Sequence, residues 1–102
     1  MPLTLDIVTP KGVALQYSNL DRIVMRQSGM RSKSTRELVM LPCQGHMSAP
    51  LPAHTLRVRS GSDVIHIQVD GGLAERCDDT VTLLTRGARV VAVDQQVCMA
   101  AS

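Results

Sequence analysis

Aromatic residues are almost absent from this chain of 102 residues. It has no phenylalanine and no tryptophan, and Tyr17 is its single aromatic side chain. Its core must therefore be built from valine, leucine, isoleucine and methionine. The same lack argues against single-stranded nucleic-acid binding by stacking of bases on aromatic rings.

Long apolar runs are missing as well. No run approaches the roughly 20 residues that cross a bilayer as a helix, so we expect no direct membrane span. The N-terminus has no basic region followed by an apolar stretch, which predicts that there is no signal peptide. The cysteines, Cys43, Cys77 and Cys98, are odd in number and lack Cys-x-x-Cys spacing. They favour reduced thiols over a disulfide framework.

The charge balance is only mildly basic. Eleven Lys and Arg against nine Asp and Glu give a formal net charge of +2. This falls short of the concentrated basic field typical of nucleic-acid-binding proteins. A chain of this length forms one domain, which can bury a core without disulfides or metal.

Segments of alternating apolar and polar residues dominate the sequence, and the clearest spans residues 63–85. Ile65, Ile67 and Val69 share one face of a strand, and Val81 and Leu83 resume that alternation further on. Between them, the Gly71-Gly72 pair predicts a bend or bulge, because glycine adopts backbone angles closed to other residues. The sequence Cys77-Asp78-Asp79 predicts a turn.

Further strand-like segments occur at residues 3–8, 13–17, 20–25, 38–41, 55–59 and 89–93. The sequence Ser18-Asn19 predicts a turn between the second and the third of them. Pro50 and Pro52 restrict residues 43–53 to short edge segments or irregular backbone. No segment is a convincing amphipathic helix. The pattern predicts an all-β domain over residues 1–93, an antiparallel β-sandwich or flattened barrel of about ten short strands, and a short tail over 94–102.

Candidate catalytic groups do not converge in this pattern. Cys77, Asp78 and Asp79 are consecutive, so their side chains point in different directions, and a solvated turn is the favoured interpretation. The histidines His46, His54 and His66 lack the spacing of a local metal site, and His66 is predicted on the outer face of its strand. We therefore expect no catalytic residue, no cofactor and no metal ligand.

Residues 26–36 differ from the rest of the chain, because they hold four cations and no acid. One interpretation is a solvated, mobile loop. The other is an electrostatic contact with an acidic partner. In that case the chain could be a free-standing β-sandwich binding module that uses this loop for an acidic partner or nucleic acid.

Several short motifs follow one another in order: LTLDIVTP at residues 3–10, MLP at 40–42, TLRV at 55–58, VDGGLAE at 69–75 and VTLL at 81–84. Together they resemble the epsilon subunit of rotary (F-type) ATP synthases, called delta in mitochondria. That family carries an opening strand, the motif ILPGHAPL, a further strand, the motif VSGGF-x-E and the motif VTVL in the same order.

The resemblance implies a ten-stranded sandwich, the N-terminal domain of a central-stalk subunit that catalyses nothing and needs no cofactor. Such a subunit bridges the gamma subunit and the membrane c-ring and takes part in the rotary coupling of proton- or sodium-driven ATP synthesis. It belongs to a peripheral membrane complex on the cytoplasmic, matrix or stromal side. Nucleic acid is not among the partners that the resemblance implies.

The resemblance also implies two sets of contact residues. The family's loop near the c-ring corresponds to residues 27–37, with Ser28, Gly29, Met30, Arg31, Lys33, Arg36 and Glu37 as contacts. The gamma contact corresponds to Pro42, Gln44 and His46, where Cys43-Gln44-Gly45-His46 replaces the family's Gly-His-Ala-Pro. Gly71 and Gly72 have a structural role in this alignment.

Two features depart from the family pattern. The loop at residues 26–36 is longer and more basic than its counterpart. About fifteen residues follow Gly87, which is too few for the family's C-terminal helical hairpin. Inhibition by that hairpin, and its nucleotide site, are therefore not expected here.

Overall fold

The computed structural model describes residues 2–28, 35–43 and 45–95. Every regular element among these residues is a β-strand, which confirms the all-β prediction. The strands are β1 Leu3–Thr9, β2 Gly12–Leu20, β3 Arg22–Ser28, β4 Thr35–Met40, β5 Met47–Ser60, β6 Asp63–Cys77, β7 Thr80–Leu84 and β8 Ala88–Gln95. The described part thus has eight strands rather than about ten, because β5 and β6 are long and unbroken.

The strands form one sheet with the order β2-β1-β7-β6-β5-β3-β4, and β8 pairs with β6. Strand β6 pairs with β5 along one edge from end to end. On its other edge, its first half pairs with β8 and its second half with β7. The sheet therefore divides into two halves that share β5 and β6, as in a sandwich. The prediction of antiparallel pairing is wrong for one pair, since β1 and β7 are parallel.

Aliphatic side chains from both halves form a single core, as the lack of aromatic residues requires. The buried cluster consists of Leu3, Leu5, Ile7, Leu20, Ile23, Met25, Met40, Leu51, Leu56, Val58, Ile67, Val69, Ala74, Val81 and Leu83. The predicted set from residues 65–83 is part of it, with Ile65 partly buried against the cluster. Tyr17 also packs against this cluster and is only partly buried.

The two halves meet at a bend in β6. Ile67 and Val69 face the core before the bend, and Ala74 faces it afterwards, so the buried positions change from odd to even. Gly71 and Gly72 lie at this change. Their φ angles of +88° and +138° are rare in residues other than glycine. The pairing with β5 keeps its register through the bend, so the glycines redirect the strand without ending it.

The proline-rich stretch is an edge segment, as predicted for residues 43–53, but it belongs to a long regular strand instead of a short one. Residues from Met47 onward belong to the 14-residue β5. The backbone pairing of β3 with β5 is limited to Arg57–Arg59, so the first half of β5 pairs on one edge alone among the described residues. Pro50 and Pro52 are accommodated there because a free edge needs no backbone donor.

The connection between β2 and β3 also differs from the prediction. Ser18 and Asn19 lie inside β2, where the register to β1 shifts and Asn19 has φ of +57°. An extra residue in one strand of a pair is a bulge, so the turn-forming sequence bends β2 instead of ending it. The chain reverses at Asp21. Of the predicted loop 26–36, residues 26–28 belong to β3 and residues 35–36 to β4, and residues 29–34 are outside the described part of the chain.

The long β5–β6 ladder folds back so that its two ends lie close together. The start of β1 pairs with the end of β2 and with the start of β7, which follows β6. Directly after β2, the backbone N–H of Asp21 donates to the carbonyl of Arg59 in β5 (2.8 Å). The turns at residues 61–62 and 78–79 therefore share one end of the molecule, which we call the hairpin end.

Candidate partner-binding surfaces

The β6–β7 turn at the hairpin end is held by a buried ion pair. The side chain of Arg76 is 1% exposed, and its Nη2 lies 3.1 Å from Asp79 Oδ1. Its Nε donates to the carbonyl of Asp78 (2.6 Å). Asp79 Oδ1 also accepts the backbone N–H of Cys43 (2.8 Å), which fixes the β4–β5 connection against this turn. The predicted solvated turn holds for Cys77 and Asp78, which are exposed, whereas Asp79 is a structural anchor.

The predicted gamma contacts lie on this anchored connection. Pro42 is half-buried and His46 is exposed, and Gln44 is outside the described residues. His46 Nε2 lies 3.5 Å from Asp78 Oδ1. The structure thus positions His46 over the β6–β7 turn, next to the exposed Cys77.

The predicted c-ring contacts lie elsewhere. Ser28 ends β3, and Arg36 and Glu37 belong to the start of β4. The remaining members of that set, Gly29, Met30, Arg31 and Lys33, are outside the described residues. Glu37 is exposed, and its Oε2 lies 3.3 Å from Arg57 Nη2.

This end of β3 lies over the bend of the ladder. The backbone N–H of Arg26 donates to His54 Nε2 (2.9 Å), so that this nitrogen must be the unprotonated one. The proton is then on Nδ1, which donates to the carbonyl of Pro52 (2.7 Å). His54 lies near the bend, whereas Met47, which follows His46, lies seven residues earlier in β5. The two predicted contact sets therefore lie in different parts of the fold.

A groove that the sequence did not predict crosses the outer face of β4, β3, β5, β6 and β8. It encloses about 470 Å³ over an apolar floor that includes Val24 and Val64. Arg22, Arg57 and Arg59 line it, and we call it the arginine groove. Its acidic residues, Glu37 and Asp94, lie at its two sides.

Two ion pairs lie in the arginine groove. Arg57 pairs with Glu37, and His66 Nε2 lies 2.8 Å from Asp94 Oδ2. Arg22 and Arg59, however, are directly opposite each other on β3 and β5. Like charges in that position are destabilising, and an anion between them would relieve the repulsion. The alternation at residues 55–59 places Arg57 and Arg59 on one face, but only the register of β3 adds Arg22.

Strand β8 presents a second surface, which is apolar. Val90, Val91 and Val93 are 40%, 47% and 56% exposed, and β8 pairs only with β6 among the described strands. An edge strand of this kind offers unpaired backbone groups as well as apolar side chains to a partner.

Comparison with known proteins finds similarity among solved structures. No protein-family model matches the sequence, and no match is found among curated proteins. Among solved structures, the chain is similar to a chain in the cryo-EM structure of the Tetrahymena thermophila mitochondrial ATP synthase central stalk and c-ring. The identity is 17% and the TM-score 0.59, and the similarity covers 93% of this chain and 67% of that chain.

The similarity extends over nearly the whole chain, including both halves of the sheet. It agrees with the resemblance to the epsilon subunit that the ordered motifs indicate. No helix long and apolar enough to cross a membrane occurs in the described part of the chain. The structural similarity shows that this chain shares its fold with a chain in the central stalk and c-ring of a mitochondrial ATP synthase.

Proposed function

We propose that this chain is a non-catalytic subunit of the central stalk of a rotary ATP synthase. In this role it bridges a gamma subunit and a membrane c-ring and takes part in rotary coupling, as part of a membrane-associated complex. The observation that carries the proposal is the similarity over 93% of the chain to a chain of a central stalk and c-ring. The motif order supports it independently, because it depends on residue identities and not on backbone geometry.

The two separated contact sets suit a bridging subunit. His46 projects from the connection that Asp79 anchors at the hairpin end, where we place the gamma contact. Glu37 lies on β4 beside the arginine groove, where we place the c-ring contact. A subunit that bridges two partners needs two such surfaces on one rigid body.

Co-purification with the gamma subunit and the c-ring of the same organism tests the proposal. In buffer that contains a metal chelator, we expect a stable complex with gamma, measured by analytical ultracentrifugation and calorimetry. His46→Ala should weaken binding to gamma alone. Glu37→Lys should weaken binding to the c-ring alone, and Glu75→Lys, the same charge reversal at an exposed position of β6, should weaken neither. The absence of binding to gamma at micromolar concentration would contradict the proposal.

The arginine groove favours a second candidate function. Three arginines in the groove, together with the basic composition of residues 26–36, fit a free-standing binding module for an acidic partner. Binding of an acidic peptide or of RNA by the isolated chain should then fall steeply with added salt. Flat titrations against acidic peptide, RNA and anionic vesicles at low salt would exclude this alternative.

A further inference from the structure

Three side chains of different chemistry meet on the hairpin end of the molecule. They are His46, which precedes β5, and Cys77 and Asp78, which end β6 and begin the following turn. One ligand atom of each lies within 4.8 Å of the other two, and all three residues are exposed. His46 Nε2 and Asp78 Oδ1 are closest, at 3.5 Å.

We propose that His46, Cys77 and Asp78 form a binding site for a zinc ion. A thiolate, an imidazole and a carboxylate are the three ligand types that Zn²⁺ takes in proteins, at about 2.0–2.3 Å. In a tetrahedral site with such bonds, neighbouring ligand atoms are separated by roughly 3.3–3.8 Å. The three groups are therefore within about 1 Å of this arrangement, and exposed side chains can close that gap by rotation.

The backbone beneath the site is fixed, which favours metal binding over a chance approach of mobile side chains. The Arg76–Asp79 ion pair holds the turn from below. Asp79 Oδ1 accepts the N–H of Cys43, and its carbonyl accepts the N–H of Thr4 (2.8 Å each). Asp78 has φ of +55°, a left-handed backbone conformation that is common in tight turns. Both segments that supply ligands are thus tied to one anchor before any ion binds.

Three protein ligands leave the fourth position of a tetrahedral ion for water or for a group from another molecule. An ion at this site would join the β4–β5 connection to the β6–β7 turn. The site does not depend on the proposed stalk function, because all its ligands come from this chain.

Metal titration of the isolated, tag-free chain with zinc chloride and cobalt chloride tests the proposal. With Co²⁺ we expect one ion per chain and the intense charge-transfer absorption of a thiolate ligand. Cys77→Ser should abolish this absorption. His46→Ala and Asp78→Asn should each weaken Co²⁺ binding by at least roughly 10- to 100-fold. Loss of a residue that only hydrogen-bonds to a metal ligand already has an effect of this size, and loss of a ligand itself should cost no less. Affinity should rise with pH, because the thiol and the imidazole must lose their protons to bind.

His66→Ala is the matched control. His66 also faces an aspartate, at 2.8 Å, but belongs to no group of three candidate ligands among the described residues. It should bind Co²⁺ like the parent chain. The three ligand variants should melt at the parent's temperature in chelator, because His46, Cys77 and Asp78 are exposed. Loss of binding in His66→Ala, or a charge-transfer band that survives Cys77→Ser, would overturn the proposal. So would the absence of that band in the parent chain.

Discussion

Gly72 lies where two strands approach so closely that a side chain has no space. A Cβ at this position would overlap the carbonyl oxygen of Leu84 on the neighbouring β7. The residue also has φ of +138°, which is strained for any side chain. Two separate effects therefore favour glycine at position 72: the close approach of β7 and the positive φ. Their contributions to the free energy of unfolding can be measured separately.

We expect Gly72→Ala to lower the free energy of unfolding by at least about 3 kcal/mol, as strain and overlap add. Gly12→Ala is the matched control, because Gly12 has φ of +114° but a Cβ there would meet no other atom within 4 Å. It should cost only about 1–2 kcal/mol. Urea unfolding of both variants measures the difference. Equal losses would mean that β7 moves aside freely and that the close approach is unimportant.

Tyr17 gives a pH-dependent signal that no other residue can obscure, since it is the only aromatic side chain. Burial against the core raises the pKa of its phenol above the ordinary value of 10.0, because desolvation disfavours the phenolate. A folded-state pKa above the unfolded one stabilises the fold below pH 10.0. That contribution is lost as the pH rises through the folded-state value.

Absorbance titration of the phenolate should therefore show a higher midpoint in the native chain than in concentrated guanidinium. Native stability should fall over the same alkaline range. A native midpoint at or below the denatured one would show that Tyr17 is solvated in the fold.

At the level of strands, the sequence correctly predicted features that depend on neighbouring residues in the chain, such as which face of a strand is buried. The alternation at residues 65–69 gave a core face correctly, because burial of one face imposes period two. Pro50 and Pro52 correctly predicted an edge position, but not the length of β5, because a strand can continue through prolines where no neighbouring strand occupies that edge. The Ser18-Asn19 sequence was equally ambiguous, because a bulge and a turn use the same residues.

In the candidate sites, too, the sequence predicts what residue spacing determines but not what strand pairing determines. Arg57 and Arg59 could be placed on one face from their spacing, but the partner Arg22 depends on pairing between β3 and β5. His46 is far from Cys77 in sequence, and nothing local links them. Their approach depends on Asp79, whose two roles, ion pair and acceptor from the β4–β5 connection, become visible only in the folded chain.

Strand β6 should be the most protected element in hydrogen exchange. It pairs on both edges, with β5 throughout and with β8 and then β7 on the other side. Edge strands such as β2, β4 and β8 leave one row of backbone groups free, so they open at lower cost. Native-state exchange followed by NMR should rank the amides of β6 slowest. Faster exchange in β6 than in β8 would contradict the described pairing.

On the scale of the whole molecule, the shared strands β5 and β6 should make unfolding a single event. Neither half of the sheet keeps its pairing if this ladder is lost, and both halves contribute to one core. Tyr17 reports on the half that contains β2, and the methyl group of Met40 reports on the half that contains β4. In urea, tyrosine fluorescence and the Met40 methyl resonance should share one midpoint, with an m-value of about 1–3 kcal/mol/M. Two midpoints would instead show that the halves fold independently. If the halves moved relative to each other at Gly71-Gly72, the two proposed contact surfaces would not stay at a fixed separation. A single transition is therefore what a rigid bridge between two partners requires.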